Sequence, residues 1–306
     1  MIIVPAEKHV ELAGKQKLVI APLSDIHWNA KGFDREKWLS IIEWIKETSE
    51  RPDRRVLVPL MGDFLDTMSA SERRAMAGAS LHESTRMRIE EMILEDLGGF
   101  IKDLEPIKHL VLGVVGGNHT FVIQQSDNGA YVGKSTDQIL AETLNVPFFG
   151  ICGAIALNLK QPKSRTAANF KILMHHGFGS AGTKGSSINQ MVKLKERFDD
   201  FDLYIMGHNH VPIGTIQQTI VMRKNHQTGS WRMKARQVAF VRGGSFLKGY
   251  IEGEAVVAGY KGSYVEEKCY VPAGLGIVTC NVRWGVRTVN GQKRGPSNDL
   301  VVHVQE

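Results

Sequence analysis

The chain is poor in the residues that mark specialised architectures. Its 306 residues include three cysteines, Cys152, Cys269 and Cys280, and ten prolines. Three is an odd number, and none of the spacings is CxxC, so neither a disulfide framework nor a structural zinc knuckle is expected. A reducing, cytoplasmic setting fits this usage best, with the cysteines as small buried residues. The prolines form no Pro/Ser-rich linker, and the composition excludes a disordered or collagen-like chain. No apolar run approaches the roughly 18 residues of a membrane span. The N-terminal MIIVPAEKHVELAGKQ has no basic flank followed by an apolar stretch, so no leader and no membrane association are expected. Acidic residues are missing from two long stretches, 175–195 and 203–251. Arg223, Lys224, Arg232, Lys234, Arg236, Arg242 and Lys248 all fall in the second. With a net charge of +6, the chain favours anionic partners.

What is present is an alternation of strand and helix periods. Residues 17–22 and 55–61 read as buried strands, with a helix between them over 35–48 that carries Trp38, Ile41, Ile42 and Ile45 at helical spacing. A mostly helical stretch over 71–104 follows, with Met87, Met92, Ile93, Leu97 and Ile101 as core candidates. Pro106 closes it before a strand at 109–115. Further elements are a helix at 136–144, strands near 154–159 and 170–174, a helix at 187–198 and a strand at 203–206. Beyond residue 211 the pattern turns all-β: 216–223 and 231–241 flank a turn signal at 225–229, and the Gly- and Val-rich tail from Tyr250 supplies more strands. One α/β domain over 1–306 is expected, with a helical insertion at about 67–105 and a basic hairpin insertion at about 215–242.

Polar residues concentrate just behind the strands, where α/β sheets place ligand-binding loops. In order they are Asp25-Ile26-His27, Gly62-Asp63-Phe64-Leu65-Asp66, Gly117-Asn118-His119, His175-His176-Gly177 and Gly207-His208-Asn209-His210. Six of the eleven histidines lie in these five clusters, far more than scattered polar loop residues would place there. Carboxylates, imidazoles and one amide form a mixed oxygen and nitrogen set. It suits Mn, Fe or Zn, is too rich in nitrogen for a Ca or Mg cage, and lacks the thiolates of structural zinc.

In this ordered combination the sequence resembles the calcineurin-like metallophosphoesterase superfamily, whose pattern is DxH, GDxxD, GNH(D/E), a strand-end His and GHxH. The resemblance implies a four-layer αββα sandwich of two mixed β-sheets flanked by helices, holding two divalent metal ions, Mn by preference and Fe or Zn otherwise. It assigns Asp25, His27, Asp63 and His210 to the first metal. Asp63, Asn118, His175 and His208 go to the second, with Asp63 bridging. Two metals about 3.5 to 4 Å apart clamp a phosphoryl group and lower the pKa of a bridging water. His119 then protonates the leaving oxygen or stabilises the transition state, oriented by Asp66 and outside the metal shell. A ligand directly after the strand favours His175, whereas alignment on the following glycine favours His176; His175 is preferred, with His176 the alternative.

Thr120 stands where an acid is usual in the pattern. The arginines of serine/threonine protein phosphatases are absent, since Thr67 and Thr120-Phe121 occupy their places, so that activity is disfavoured. The 241–245 block VRGGS resembles the strand-then-Gly-Ser block that follows GHxH. The His-His-Gly block with its Gly-rich sequel resembles phage-borne or prophage-like members. The reading is a metal-dependent phosphoesterase hydrolase acting on phosphodiesters, extending to a nuclease because an acid-free basic region with Trp231 adjoins GHxH. The alternatives are a small-molecule phosphatase or nucleotide phosphodiesterase, and a non-catalytic metal-binding scaffold of the same fold. Lys184 and the amides of loop 177–187 are candidates for a substrate phosphate, against a plain flexible turn. DNA is the nucleic-acid partner considered; oligomeric state is left open.

Overall fold

The computed structural model describes residues 6–13, 16–66, 82–124, 129–163, 167–179, 183–224, 229–250, 266, 274–289 and 292–305. Its strands are β1 (Ala6–Glu11), β2 (Lys17–Ile20), β3 (Arg54–Leu60), β4 (Val111–Val114), β5 (Cys152–Lys160), β6 (Ala167–His175), β7 (Leu203–Met206), β8 (Ile213–Lys224), β9 (Trp231–Arg242), β10 (Thr279–Val289) and β11 (Gln292–Gln305). The helices are α1 (Arg35–Glu50), α2 (Glu83–Leu104), α3 (Thr136–Thr143) and α4 (Lys184–Arg197). Helix starts follow side-chain caps: Asp34 accepts the Lys37 amide ahead of α1, and Ser135 with Gln138 forms a capping box at α3.

The strands make two mixed sheets. The first runs β1-β5-β6-β7-β9-β8 and the second β11-β10-β2-β3-β4. In the second, β2, β3 and β4 are parallel and β10 antiparallel to β2, as expected where apolar runs alternate with helices. The sheets pack face to face: Leu18, Ile20, Leu57, Leu112 and Val282 of one meet Ile155, Phe170, Ile172, Ile205 and Val241 of the other in one buried cluster. On the outer face of the five-stranded sheet lie α1 and α2, through Trp38, Ile42, Ile45, Ile93, Leu97, Phe100 and Leu104. Outside the six-stranded sheet lies α4, through Met191 and Leu194 against Leu173, Tyr204 and Phe240. The arrangement is the four-layer αββα sandwich.

Three expectations change. The strand expected from residue 109 starts at Val111, because Glu105–Leu110 forms a 3-10 helix with Pro106 in its first turn. Met92 is not core: it is 62% exposed, while Ile93, Leu97, Phe100 and Leu104 share the buried stripe at 3.6-residue spacing. The hairpin strands are longer than expected and extend the six-stranded sheet, with β9 pairing β7 in parallel. The first part of the helix expected over 71–104, the turn at 225–228, most of the segment 251–273, Cys269 and Thr67 lie outside the described residues. No helix among the described residues is long and apolar enough to cross a membrane.

Candidate metal centre

All five polar blocks meet at the ends of β2, β3, β4, β6 and β7. Backbone bonds tie their loops together: the Asp25 amide donates to the Gly62 carbonyl at 3.1 Å and the His27 amide to the Asp63 carbonyl at 3.1 Å. Such close approach needs glycine. A Cβ on Gly117 would stand 2.1 Å from Asp63 Oδ1, and Gly62, at φ +93°, would press one against His176. Asp25, His27, Asp63, His208 and His210 all adopt positive φ, between +48° and +76°. Non-glycine residues rarely sit there, and such strain clusters at functional sites because only a surrounding structure built to hold them keeps them in place.

Three donor groups result, of which one, His27, Asp66 and His119, shares His27 with the first of the two described next. Asp25, His27 and His210 present ligand atoms within 4.8 Å of one another, as do Asp63, His176 and His208. In the first, His27 Nε2 and His210 Nε2 face each other at 3.2 Å, with Asp25 Oδ1 3.6 Å from His210 Nε2. The His27 Nδ1 lies 3.1 Å from Asp66 Oδ1, which orients the ring so that Nε2 points inward. Burial disfavours charge on His27, but the Asp66 hydrogen bond and the charges of Asp63, Asp66 and Asp25 outweigh it and raise its pKa. His210 has less compensation, and burial pushes its pKa down to about 4. Asp25 is fully buried and accepts the His208 amide at 2.9 Å.

In the second group, Asn118 Oδ1 lies 2.9 Å from His176 Nε2 and 2.7 Å from His208 Nδ1. Asp63 Oδ2 is 3.2 Å from His176 Nε2, and Asp63 Oδ1 accepts the His119 amide at 2.9 Å. His176 Nδ1 is 2.8 Å from the Met61 carbonyl, which can only accept, so that nitrogen carries a proton and Nε2 faces the two side-chain oxygens. Burial opposes a second proton, yet the Asp63 carboxylate pushes the His176 pKa up to about 9. Burial likewise works against the Asp63 charge, but His176, His27 and His119 hold its pKa well below the carboxylate range. Asp63 therefore acts electrostatically on rings of both groups. Burial and the charge of His176 lower the His208 pKa. Oxygens and imidazole nitrogens converging in this way, with Nδ1 of His176 and of His27 tied to oxygens, fit divalent cations of the Mn, Fe and Zn type.

His175 stands elsewhere. Its Nδ1 accepts the Gly177 amide at 2.9 Å, and its ring is edge-on to Phe178 at 5.6 Å. Burial and neighbouring His176 push its pKa down to about 4. The position beside Asp63, Asn118 and His208 that the sequence assigned first to His175 is held by His176. His119 lies beside His27, ring centroids 4.8 Å apart, with Nδ1 3.3 Å from Asp66 Oδ1. Asp66 thus reaches both His27 and His119, and hydrogen bonds from His119 and His27 hold its pKa well below the usual range.

Two buried residues that the sequence reading missed support these loops. Asp137, on α3, accepts the Gly117 amide at 2.9 Å beneath Asp63 and also hydrogen-bonds Thr120; burial pushes its pKa up to about 6. Arg242, fully buried on β9, donates to the Gly207 carbonyl at 2.8 Å and to Gln190 Oε1 at 2.9 Å. The only sequence signal for Asp137 is an acid in a first helical turn, and Arg242 reads as one more cation of a basic run. Asp137→Ala would leave the buried Gly117 amide without its acceptor, at a cost of about 1–3 kcal/mol. We expect chemical denaturation to show that loss together with reduced turnover, and Asp137→Asn, which keeps an acceptor oxygen, to restore most of both. Equal losses in the two variants would mean that the carboxylate charge matters, rather than the hydrogen bond.

Of the other candidates, Ser245 donates to the Asp25 carbonyl at 2.8 Å, joining the VRGGS block to the DxH loop. Lys184 is the exposed first residue of α4, and residues 180–182 of its loop lie outside the described residues. Arg236, one of the hairpin cations, is paired with Asp202 at 3.0 Å and Asp200 at 3.3 Å, so its charge is not free for a phosphate backbone. Trp231 is 61% exposed. The side chains of Arg223, Arg232 and Lys234 lie outside the described residues.

No family model matches the chain, and no curated protein matches it. Among solved structures it is similar to a conserved uncharacterised protein from Streptococcus pneumoniae described as a predicted phosphoesterase, at 13% identity and TM-score 0.26 over 75% of this chain and 73% of that one. It is also similar to the calcineurin-like phosphoesterase YfkN from Bacillus subtilis, at 9% identity and TM-score 0.34 over 95% and 90%. A metallophosphoesterase from Sphaerobacter thermophilus aligns at 11% identity and TM-score 0.33 over 94% and 88%.

Proposed function

We propose that the chain is a dinuclear-metal phosphoesterase of the calcineurin-like kind, with a preference for phosphodiesters. The observation that supports it most is the pair of donor groups, Asp25, His27 and His210 in one and Asp63, His176 and His208 in the other, with five of these six residues held in left-handed backbone conformations. In this reading Asp25, His27 and His210 hold one metal ion, Asn118, His176 and His208 the other, and Asp63 serves both. Bound there, two divalent ions would polarise a phosphoryl group and make a water nucleophilic near neutral pH. The chain's own part is to orient and to move a proton. Asp66 fixes the His27 ring, the Met61 carbonyl fixes that of His176, and His119 is placed to protonate the leaving oxygen with Asp66 behind it.

Diester preference rests on the cations of the acid-free stretch 203–251 other than Arg236, Arg242 and Lys248, which are already engaged by Asp202, the Gly207 carbonyl and Asp34. Metal content by elemental analysis, with turnover of bis-p-nitrophenyl phosphate against p-nitrophenyl phosphate, tests the proposal. A diesterase hydrolyses the first faster, a phosphatase the second, and a non-catalytic scaffold neither. His119→Ala should lower turnover by roughly two to four orders of magnitude without changing metal stoichiometry. The loss should shrink for substrates with good leaving groups, which need little protonation. A uniform loss across leaving groups, or a fall in metal content, would remove His119 from the acid role.

A further inference from the structure

The opposite end of the five-stranded sheet carries a row of cations that the metal centre does not use. Lys17 pairs in register with Arg54 of β3. Because Leu18 pairs with Val282, Lys17 also lies beside Arg283 of β10. One strand further, His303 of β11 pairs with Asn281. These five residues line one pocket of about 140 Å³. Their strand neighbours Leu18 and Val282 point into the inter-sheet core, so the row faces outward, on the side of Val19 and Val56. The helices α1 and α2 cover that face over β2–β4, and among the described residues none of β10 or β11 belongs to their buried cluster. Arg283 and His303 are exposed.

Like charges side by side on adjacent strands are destabilising, and here the compensation is incomplete. Arg54 is paired with Asp53 at 2.7 Å. Among the described residues no acidic side chain pairs with Lys17 or Arg283. An ammonium, a guanidinium fork, an amide and an imidazole opening on one pocket offer several donors to one anion, and a phosphoryl group has three strong acceptor oxygens to receive them. Lys17 and Asp25 stand at opposite ends of the same extended segment, on the order of 25 Å apart at strand rise, so one phosphoryl group cannot reach both places.

We propose that this pocket is a second phosphoryl-binding site, distinct from the metal centre and independent of the function proposed above. Its test is thermal melting of the full-length, metal-loaded protein in inorganic phosphate against chloride at equal ionic strength, for wild type and Lys17→Gln/Arg283→Gln. The wild-type melting temperature should rise in phosphate, and the double variant should lose the larger part of that rise while hydrolysing a chromogenic ester as wild type does. An equal rise in both proteins would overturn the proposal. Arg283→Glu, at an exposed position, repeats the test should the double variant fold poorly, and a full phosphate response in it would be equally fatal. Anisotropy of a labelled single-stranded oligonucleotide identifies the source of the phosphate. A tenfold or greater weakening in the double variant assigns the site to a polynucleotide backbone. Unchanged oligonucleotide binding with the phosphate response lost assigns it to small phosphorylated molecules.

Discussion

Asp63→Asn should abolish turnover. Its carboxylate acts on rings of both donor groups, through His176 at 3.2 Å on one side and the charge of His27 on the other. Asparagine keeps an oxygen to accept the His119 amide, which Asp63 Oδ1 accepts at 2.9 Å, so the loop retains its bond while the bridging charge is lost. Metal ions at such a site supply several kcal/mol of transition-state stabilisation, and tenfold in rate corresponds to about 1.4 kcal/mol, so the loss should reach roughly a thousandfold or more. Metal content should fall with it and the far-UV circular dichroism should not change, because the residue closes the end of a strand and packs no core. A variant with near-normal turnover would contradict a shared carboxylate.

The second large effect separates two adjacent histidines. His176→Ala should strip metal from the Asn118 and His208 side and lower turnover by at least a hundredfold, because a metal ligand and its proton-fixing contact to Met61 disappear together. His175→Ala should keep wild-type metal stoichiometry and stay within about tenfold of wild-type turnover, since its ring serves the Gly177 amide and Phe178. Elemental analysis of the two variants side by side decides between them, and greater metal loss from His175→Ala would reverse the assignment.

The reason His175 looked preferable from the sequence lies in the strand that precedes it. Side chains alternate between faces along β6: Phe170, Ile172 and Met174 enter the inter-sheet core, whereas Leu173 faces α4. His175 shares the parity of Leu173, and His176 continues that of Met174, towards Asp63. In FKILM only Lys171 is polar, and Ile172, Leu173 and Met174 are all apolar because both faces of the sheet are covered there, so the alternation that would tell the two histidines apart is nearly erased from the sequence. The five blocks were legible for the opposite reason: each places charged or imidazole side chains, in four of the five together with glycine, immediately behind an apolar run. Asp137 and Arg242 were not, since a buried polar group is defined by partners distant in sequence, Gly117 for one and Gly207 for the other. The edge strand β1 escaped because AEKHVE has almost no apolar pattern; its pairing with β5 is set by tertiary context.

An anomalous-diffraction crystal structure of the protein grown with Mn tests the shared-carboxylate centre most directly. Two Mn peaks per chain, about 3.5 to 4 Å apart, should appear. Asp63 should contact both, Asp25, His27 and His210 should hold one, and Asn118, His176 and His208 the other. A single peak, or a second ion bound through His175 without Asp63, would contradict it.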